Sequence, residues 1–118
     1  MMEKTILLVE DDVFIRNNVC SLLQQEGYHT AACSSLEEAR ITMRQCVPDL
    51  VILDVLLPDG SGFDLCREIR ESYKVPILFL TCCDEDEDTV KGLECGGDDY
   101  VAKPFRAQGL LSRIMALL

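Results

Sequence analysis

The stretch from Leu50 to Gly62, LVILDVLLPDGSG, constrains the fold of this chain more than any other. An apolar run of Leu50, Val51, Ile52 and Leu53 stops at a carboxylate, Asp54, and Pro58, Gly60 and Gly62 follow closely. A strand that is apolar on both faces belongs in the middle of a parallel sheet covered by helices on each side. In such sheets ligands bind outside the carboxyl ends of the strands, which is where Asp54 falls. Function therefore turns on which other strand ends bring groups to Asp54.

Along the chain, Thr5 to Val9 is a short apolar run that ends in Glu10, Asp11 and Asp12, a second crowding of acids at a strand terminus. Asp12 suits the N-cap of a helix with Ile15, Val19, Leu22 and Leu23 at helical spacing, stopped by Gly27. Tyr28 to Cys33 is a second strand, and Ser35 with Glu38 predicts a capping box opening a helix to about Gln45. After a loop from Pro58 to Gly62, Phe63, Leu65 and Ile69 mark a third helix to about Ser72. Ile77 to Leu80 is another wholly apolar strand, ending at Thr81. The acidic run Asp84 to Asp88 opens a fourth helix that Gly96-Gly97 closes. Asp99 to Ala102 is a fifth strand ending at Lys103-Pro104, and Leu110, Leu111, Ile114, Leu117 and Leu118 line a last helix. Regular β-α alternation implies right-handed crossovers and a doubly wound parallel α/β sheet in one domain spanning residues 1–118.

A net charge of −10 argues against a nucleic-acid surface on this domain, since a polyanion is repelled. The N-terminus MMEKTILLVE lacks the features of a secretion signal, and no apolar run approaches a membrane span, which places the expected location in the cytoplasm with no membrane partner. Seven cysteines at 20, 33, 46, 66, 82, 83 and 95 include no C-x-x-C pair, and their odd number argues against a disulfide framework. Most are expected to be small buried residues, with vicinal Cys82 and Cys83 the pair placed to be reactive.

In a parallel sheet the strand ends bearing Glu10 and Asp11, Asp54, Thr81 and Lys103 share one edge. Three carboxylates there raise one another's pKa unless a cation joins them. A few hard oxygen ligands favour Mg²⁺. A metal-bound carboxylate beside a lysine and a hydroxyl is equipped for phosphoryl transfer to the carboxylate itself, with Asp54 the nucleophile and Lys103 and Thr81 contacting the phosphoryl oxygens. Singly, each has a plainer explanation: Asp12 a cap, Thr81 a strand residue, Lys103 a surface charge. It is the convergence of all of them on one edge that points to chemistry.

The sequences LLVEDD, LDVLLPDGSG, FLT and DDYVAKPF, in this order and spacing, resemble the receiver domain of two-component response regulators over essentially the whole chain. That resemblance implies a flavodoxin-like (CheY-like) fold with five strands in the order 2-1-3-4-5, flanked by five helices. It implies Asp54 as phosphoacceptor, Asp11 as direct metal ligand, Glu10 acting mainly through water, and the Leu56 backbone carbonyl as a further metal ligand. Thr81 and Lys103 become phosphoryl contacts, Tyr100 the aromatic that turns inward on activation, and Lys103-Pro104 a cis peptide. The same resemblance implies a sensor histidine kinase as donor and a domain that acts as a switch rather than a turnover enzyme.

The C-terminal part, VKGLECGGDDYVAKPFRAQGLLSRIMALL, is similar to the OmpR/PhoB subfamily, whose receivers form homodimers through the fourth helix, fifth strand and fifth helix and precede a winged-helix DNA-binding domain. Such an effector domain is expected in the full-length protein. Lys91, Asp98, Asp99 and Arg113 match charged positions of the pairing face, whereas Gly109 stands where the subfamily commonly has Glu and Met115 where it has Arg. The missing pair predicts a weaker or differently arranged dimer. Three rivals remain alongside. A haloacid-dehalogenase-like phosphohydrolase wants an acid where Leu56 stands, a flavodoxin-like FMN module wants a phosphate loop where Glu10, Asp11 and Asp12 stand, and a docking-only pseudo-receiver needs no acid, Thr and Lys set.

Overall fold

The computed structural model describes residues 3–82, 90 and 94–118. Five parallel strands, β1 (Thr5–Val9), β2 (His29–Cys33), β3 (Leu50–Leu53), β4 (Ile77–Thr81) and β5 (Asp99–Ala102), form one sheet in the order β2-β1-β3-β4-β5. This is the doubly wound order the resemblance implies, and β3 takes the central place its two apolar faces require. Every residue of β3 and β4 is buried.

Alternation along the strands divides the core in two. Leu7, Val9, Val51, Leu53, Ile77 and Phe79 face one way, against α2 (Leu36–Gln45) and α3 (Gly62–Ser72), which contribute Met43, Phe63, Leu65 and Ile69. On the other face Ile6, Leu8, Leu50, Ile52, Leu78 and Leu80 meet α1 (Val13–Gln25) and the C-terminal helix Ala107–Leu117 through Val19, Leu23, Leu110 and Ile114. Each fully buried aliphatic or Phe side chain contributes about 1.5–3 kcal/mol of transfer free energy, so neither layer is dispensable.

Helix ends follow the expected chemistry with one displacement. The Asp12 carboxylate accepts from the Phe14 and Ile15 N–H groups at 2.9 and 3.1 Å, and α1 closes through Gly27 at φ +87° with the Tyr28 N–H donating to the Leu23 carbonyl. At α2 the Ser35 hydroxyl accepts from the Glu38 N–H, but Glu38 returns its carboxylate to the N–H and hydroxyl of Ser34 instead of to Ser35. The box is therefore shifted by one residue. Asp59 satisfies further donors of that first turn, accepting from Leu36 N–H at 2.9 Å and Glu37 N–H at 3.0 Å.

The loop after Asp54 contains a short antiparallel hairpin, Leu56–Leu57 with Gly60–Ser61, that the sequence reading treats as irregular. Four helices are described in full; Val90 and Glu94 are also helical, and the rest of the fourth helix expected between Thr81 and Gly96 lies outside the described residues. Among the described residues no helix is long and apolar enough to cross a membrane. The six cysteines among them are free thiols, of which Cys33, Cys66 and Cys95 are buried and Cys82 is exposed; Cys83 lies outside the described residues.

Candidate functional site

Backbone hydrogen bonds of the sheet run one residue past the strands and fix the functional side chains. Val9 stands opposite Leu53 in the register of β1 with β3, and the Asp54 N–H donates to the Val9 carbonyl at 3.0 Å. On the other side of β1 the Glu10 N–H donates to the Cys33 carbonyl at 2.9 Å, and beyond β4 the Lys103 N–H donates to the Thr81 carbonyl at 2.8 Å. Glu10, Asp54, Thr81 and Lys103 therefore share one edge as a consequence of register.

Carboxylate oxygens of Glu10, Asp11 and Asp54 all lie within 4.8 Å of one another. Glu10 and Asp54 are buried, while Asp11 is exposed and leaves one side of the cluster open to water. Into this group reaches Lys103, whose ammonium hydrogen-bonds both Glu10 Oε1 and Asp54 Oδ2, the latter at 3.1 Å. The second Asp54 oxygen accepts from the Leu56 N–H at 3.3 Å, and the peptide between Lys103 and Pro104 is cis.

Burial pushes Glu10 up to about 7, with the Asp54 charge adding to the rise and hydrogen bonds from Lys103 and the Asp12 N–H opposing it. Desolvation, more than repulsion among the acids, is thus the larger cause at Glu10. For Lys103 burial pulls the pKa down, but hydrogen bonds to Glu10 and Asp54 outweigh it and the net direction is upward. The ammonium stays charged and neutralises only part of the cluster. Three hard oxygen donors with an open side fit Mg²⁺, an ion that keeps several of its waters. Glu10, Asp11 and Asp54 are the side chains that would hold it.

Two neighbouring features were not visible in the spacing of the motif. A Cβ on Gly62 would come within 2.0 Å of the Asp54 carbonyl oxygen, so the start of α3 is pressed against the peptide of the key acid. Arg16 donates from Nη1 to the carbonyls of Glu10 and Asp11 at 2.9 and 3.3 Å. The available signal was a lone cation in the first turns of α1, directly after the acids.

Thr81 is fully buried at the end of β4. In the register of β4 with β5, Phe79 pairs with Tyr100 and Thr81 with Ala102, so Thr81 and Tyr100 are diagonal neighbours on one face of the sheet. The Tyr100 ring tilts against Phe79 with centroids 6.1 Å apart, and its hydroxyl oxygen is shielded from solvent. Of the four pairing-face residues, Asp99 and Arg113 meet each other at 2.9 Å within the chain. Asp98 is engaged elsewhere: it accepts from Arg70 at 2.7 Å and from the Ile77 N–H at 2.8 Å, tying the entry of β5 to α3. Lys91 lies outside the described residues.

Residues 6–115 match the family model of the response regulator receiver domain. The chain belongs to that family. Among curated relatives of this receiver domain, the transcriptional regulatory protein AfsQ1 of Streptomyces coelicolor is 43% identical over 114 residues, covering 97% of this chain and 51% of that protein. The DNA-binding response regulator MtrA of Mycobacterium tuberculosis H37Rv is 40% identical over 117 residues (99% and 51%), and the phosphate regulon transcriptional regulatory protein PhoB of Escherichia coli K12 is 40% identical over 120 residues (99% and 52%). These relatives are of OmpR/PhoB type, and the chain spans about half their length. Solved structures agree. A two-component response regulator from Clostridium difficile superposes with a TM-score of 0.95 at 30% identity, covering 98% of this chain and 95% of that one. The BeF3-activated N-terminal receiver domain of Klebsiella pneumoniae RstA gives 0.92 at 31% identity, covering 96% and 97%.

Proposed function

We propose that this receiver domain is a phosphorylation switch in which Asp54 accepts a phosphoryl group from a phosphohistidine of a sensor histidine kinase. The observation that carries the reading is the meeting of Glu10, Asp11, Asp54 and Lys103 at one sheet edge. An Asp54 oxygen attacks phosphorus in line; the new O–P bond forms as the N–P bond to the donor imidazole breaks, and the imidazole leaves with its electron pair. Asp11, Asp54 and the Leu56 carbonyl, with Glu10 mainly through water, would hold Mg²⁺, which would supply charge stabilisation for the phosphoryl oxygens. Lys103, already directed at Asp54, pairs with one of those oxygens, and the Thr81 hydroxyl moves to bond another.

The diagonal placement of Thr81 and Tyr100 supports a coupled motion: as Thr81 is drawn to the phosphoryl group, Tyr100 settles into the space behind it. That re-faces the surface of the fourth helix, β5 and the C-terminal helix, through which the domain forms a homodimer. A hundredfold shift of the equilibrium needs about 2.7 kcal/mol of differential stabilisation, within the reach of charge-assisted hydrogen bonds. Cytoplasmic location and control of transcription through a DNA-binding domain elsewhere in a longer protein complete the reading; the names of the relatives support it. The test is intact mass after incubation with acetyl phosphate, with and without Mg²⁺. A gain of one phosphoryl group that needs Mg²⁺ and is lost in Asp54→Asn is expected. No gain from acetyl phosphate or from a phosphorylated histidine kinase would overturn the proposal.

A further inference from the structure

Arg16 stands one helical turn past the Asp12 cap, half-buried, with its backbone N–H donating to the Asp12 carbonyl at 2.9 Å. Its Nη1 donates to two consecutive peptide carbonyls, those of Glu10 at 2.9 Å and Asp11 at 3.3 Å. These are the peptides of two of the three acids in the cluster. Holding adjacent carbonyls on one donor fixes both peptide planes, and a fixed peptide plane fixes the direction in which the next Cα–Cβ bond leaves the chain. The effect matters most at Asp11, because its side chain is exposed and no wall of the core restrains it. Glu10 has three further restraints, its N–H on the Cys33 carbonyl, its Oε2 accepting from the Asp12 N–H at 3.1 Å, and its Oε1 accepting from the Lys103 ammonium.

We propose that Arg16 is a positioning residue for the acid pair: by holding the Glu10 and Asp11 carbonyls it sets the spacing at which the two carboxylates receive a divalent cation. The proposal rests on the phosphoacceptor reading above. Lysine substitutes only in part, since its ammonium can reach a carbonyl but lacks the planar, pre-organised donor geometry of the guanidinium. Residues that orient the ligands of a metal typically change its affinity by 10- to 100-fold when lost.

Mg²⁺ binding by isothermal titration calorimetry on wild type, Arg16→Met and Arg16→Lys tests this, with the Mg²⁺ concentration for half-maximal phosphorylation by acetyl phosphate as a second readout. Arg16→Met is expected to bind Mg²⁺ about tenfold more weakly and to need correspondingly more of it, while reaching the wild-type phosphorylation rate at saturation. Arg16→Lys should fall between. A merely structural role would lower the saturated rate or the metal-free melting temperature without moving the affinity. Wild-type affinity in Arg16→Met overturns the proposal; should that variant not fold, wild-type affinity in Arg16→Lys does so. Absence of Mg²⁺ binding in the wild type would instead count against the phosphoacceptor reading.

Discussion

Single side chains and single hydrogens decide most at this site. Gly62 is the clearest case, because its φ is ordinary and its constraint is space: an added methyl would collide at 2.0 Å with the backbone carbonyl of Asp54, which cannot rotate away. Gly62→Ala is therefore expected to destabilise the domain by about 3 kcal/mol in urea unfolding and to depress phosphorylation by displacing Asp54. Leu56 acts through what it lacks. It is 57% exposed two residues beyond Asp54, the proposed phosphoacceptor, and has no polar atom in its side chain to orient an attacking water. On the proposed function a long-lived aspartyl phosphate is expected, and Leu56→Asn should speed its hydrolysis on the order of tenfold, less than a full general base supplies; an unchanged decay rate would refute the assignment. Asp54, Thr81 and Lys103 were legible from the chain because each closes an apolar run. Gly62 and Arg16 were not, since a close approach and a bond to a carbonyl leave no trace in residue spacing.

At the scale of elements, local rules accounted for the strands and most helix ends but not for the partners that loops bring from afar. Apolar runs located β1, β3 and β4, while β2 and β5 fell between a glycine helix stop and the next cap or proline, and Gly27 and Asp12 marked the ends of α1 through chemistry confined to a few residues. At α2 the local expectation was displaced: Glu38 closes on Ser34, and a carboxylate from the distant hairpin loop, Asp59, takes the Leu36 and Glu37 N–H groups. Hydrogen bonds from Leu36 N–H hold Asp59 below its usual range, and those from Ser34 do the same for Glu38. An acid depressed in the folded state stabilises it above the unfolded pKa and ceases to do so as pH falls through the folded one. The first turn of α2 should thus lose stability as pH drops below about 4.5 for Glu38 and 3.8 for Asp59. The unfolding midpoint of Asp59→Ala should accordingly lie below wild type at neutral pH and converge with it in acid.

For the whole molecule, the site is an assembly of four chain segments that only the closed sheet brings together. On the proposed function, Mg²⁺ bound at this cluster should stabilise the fold by linkage, because the unfolded chain has no such cluster. At a Mg²⁺ concentration 100 times the Kd it amounts to about 2.7 kcal/mol, a rise of roughly 11 °C in Tm for a domain of this size. Scanning calorimetry with Mg²⁺ and with a chelator should show that rise in wild type and a much smaller one in Asp11→Asn. The chain by itself determined the doubly wound class, the central place of β3 and the identity of the acids and lysine at the strand ends, because periodicity and abrupt polarity changes are properties of consecutive residues. Tertiary structure alone decided that Lys103 bonds Glu10 as well as Asp54, that burial more than mutual repulsion raises Glu10, that Asp98 turns to Arg70, and that Arg16 holds the acidic loop. These depend on distances between segments far apart in sequence, and on how deeply each group is withdrawn from water, quantities that exist only once the sheet has closed.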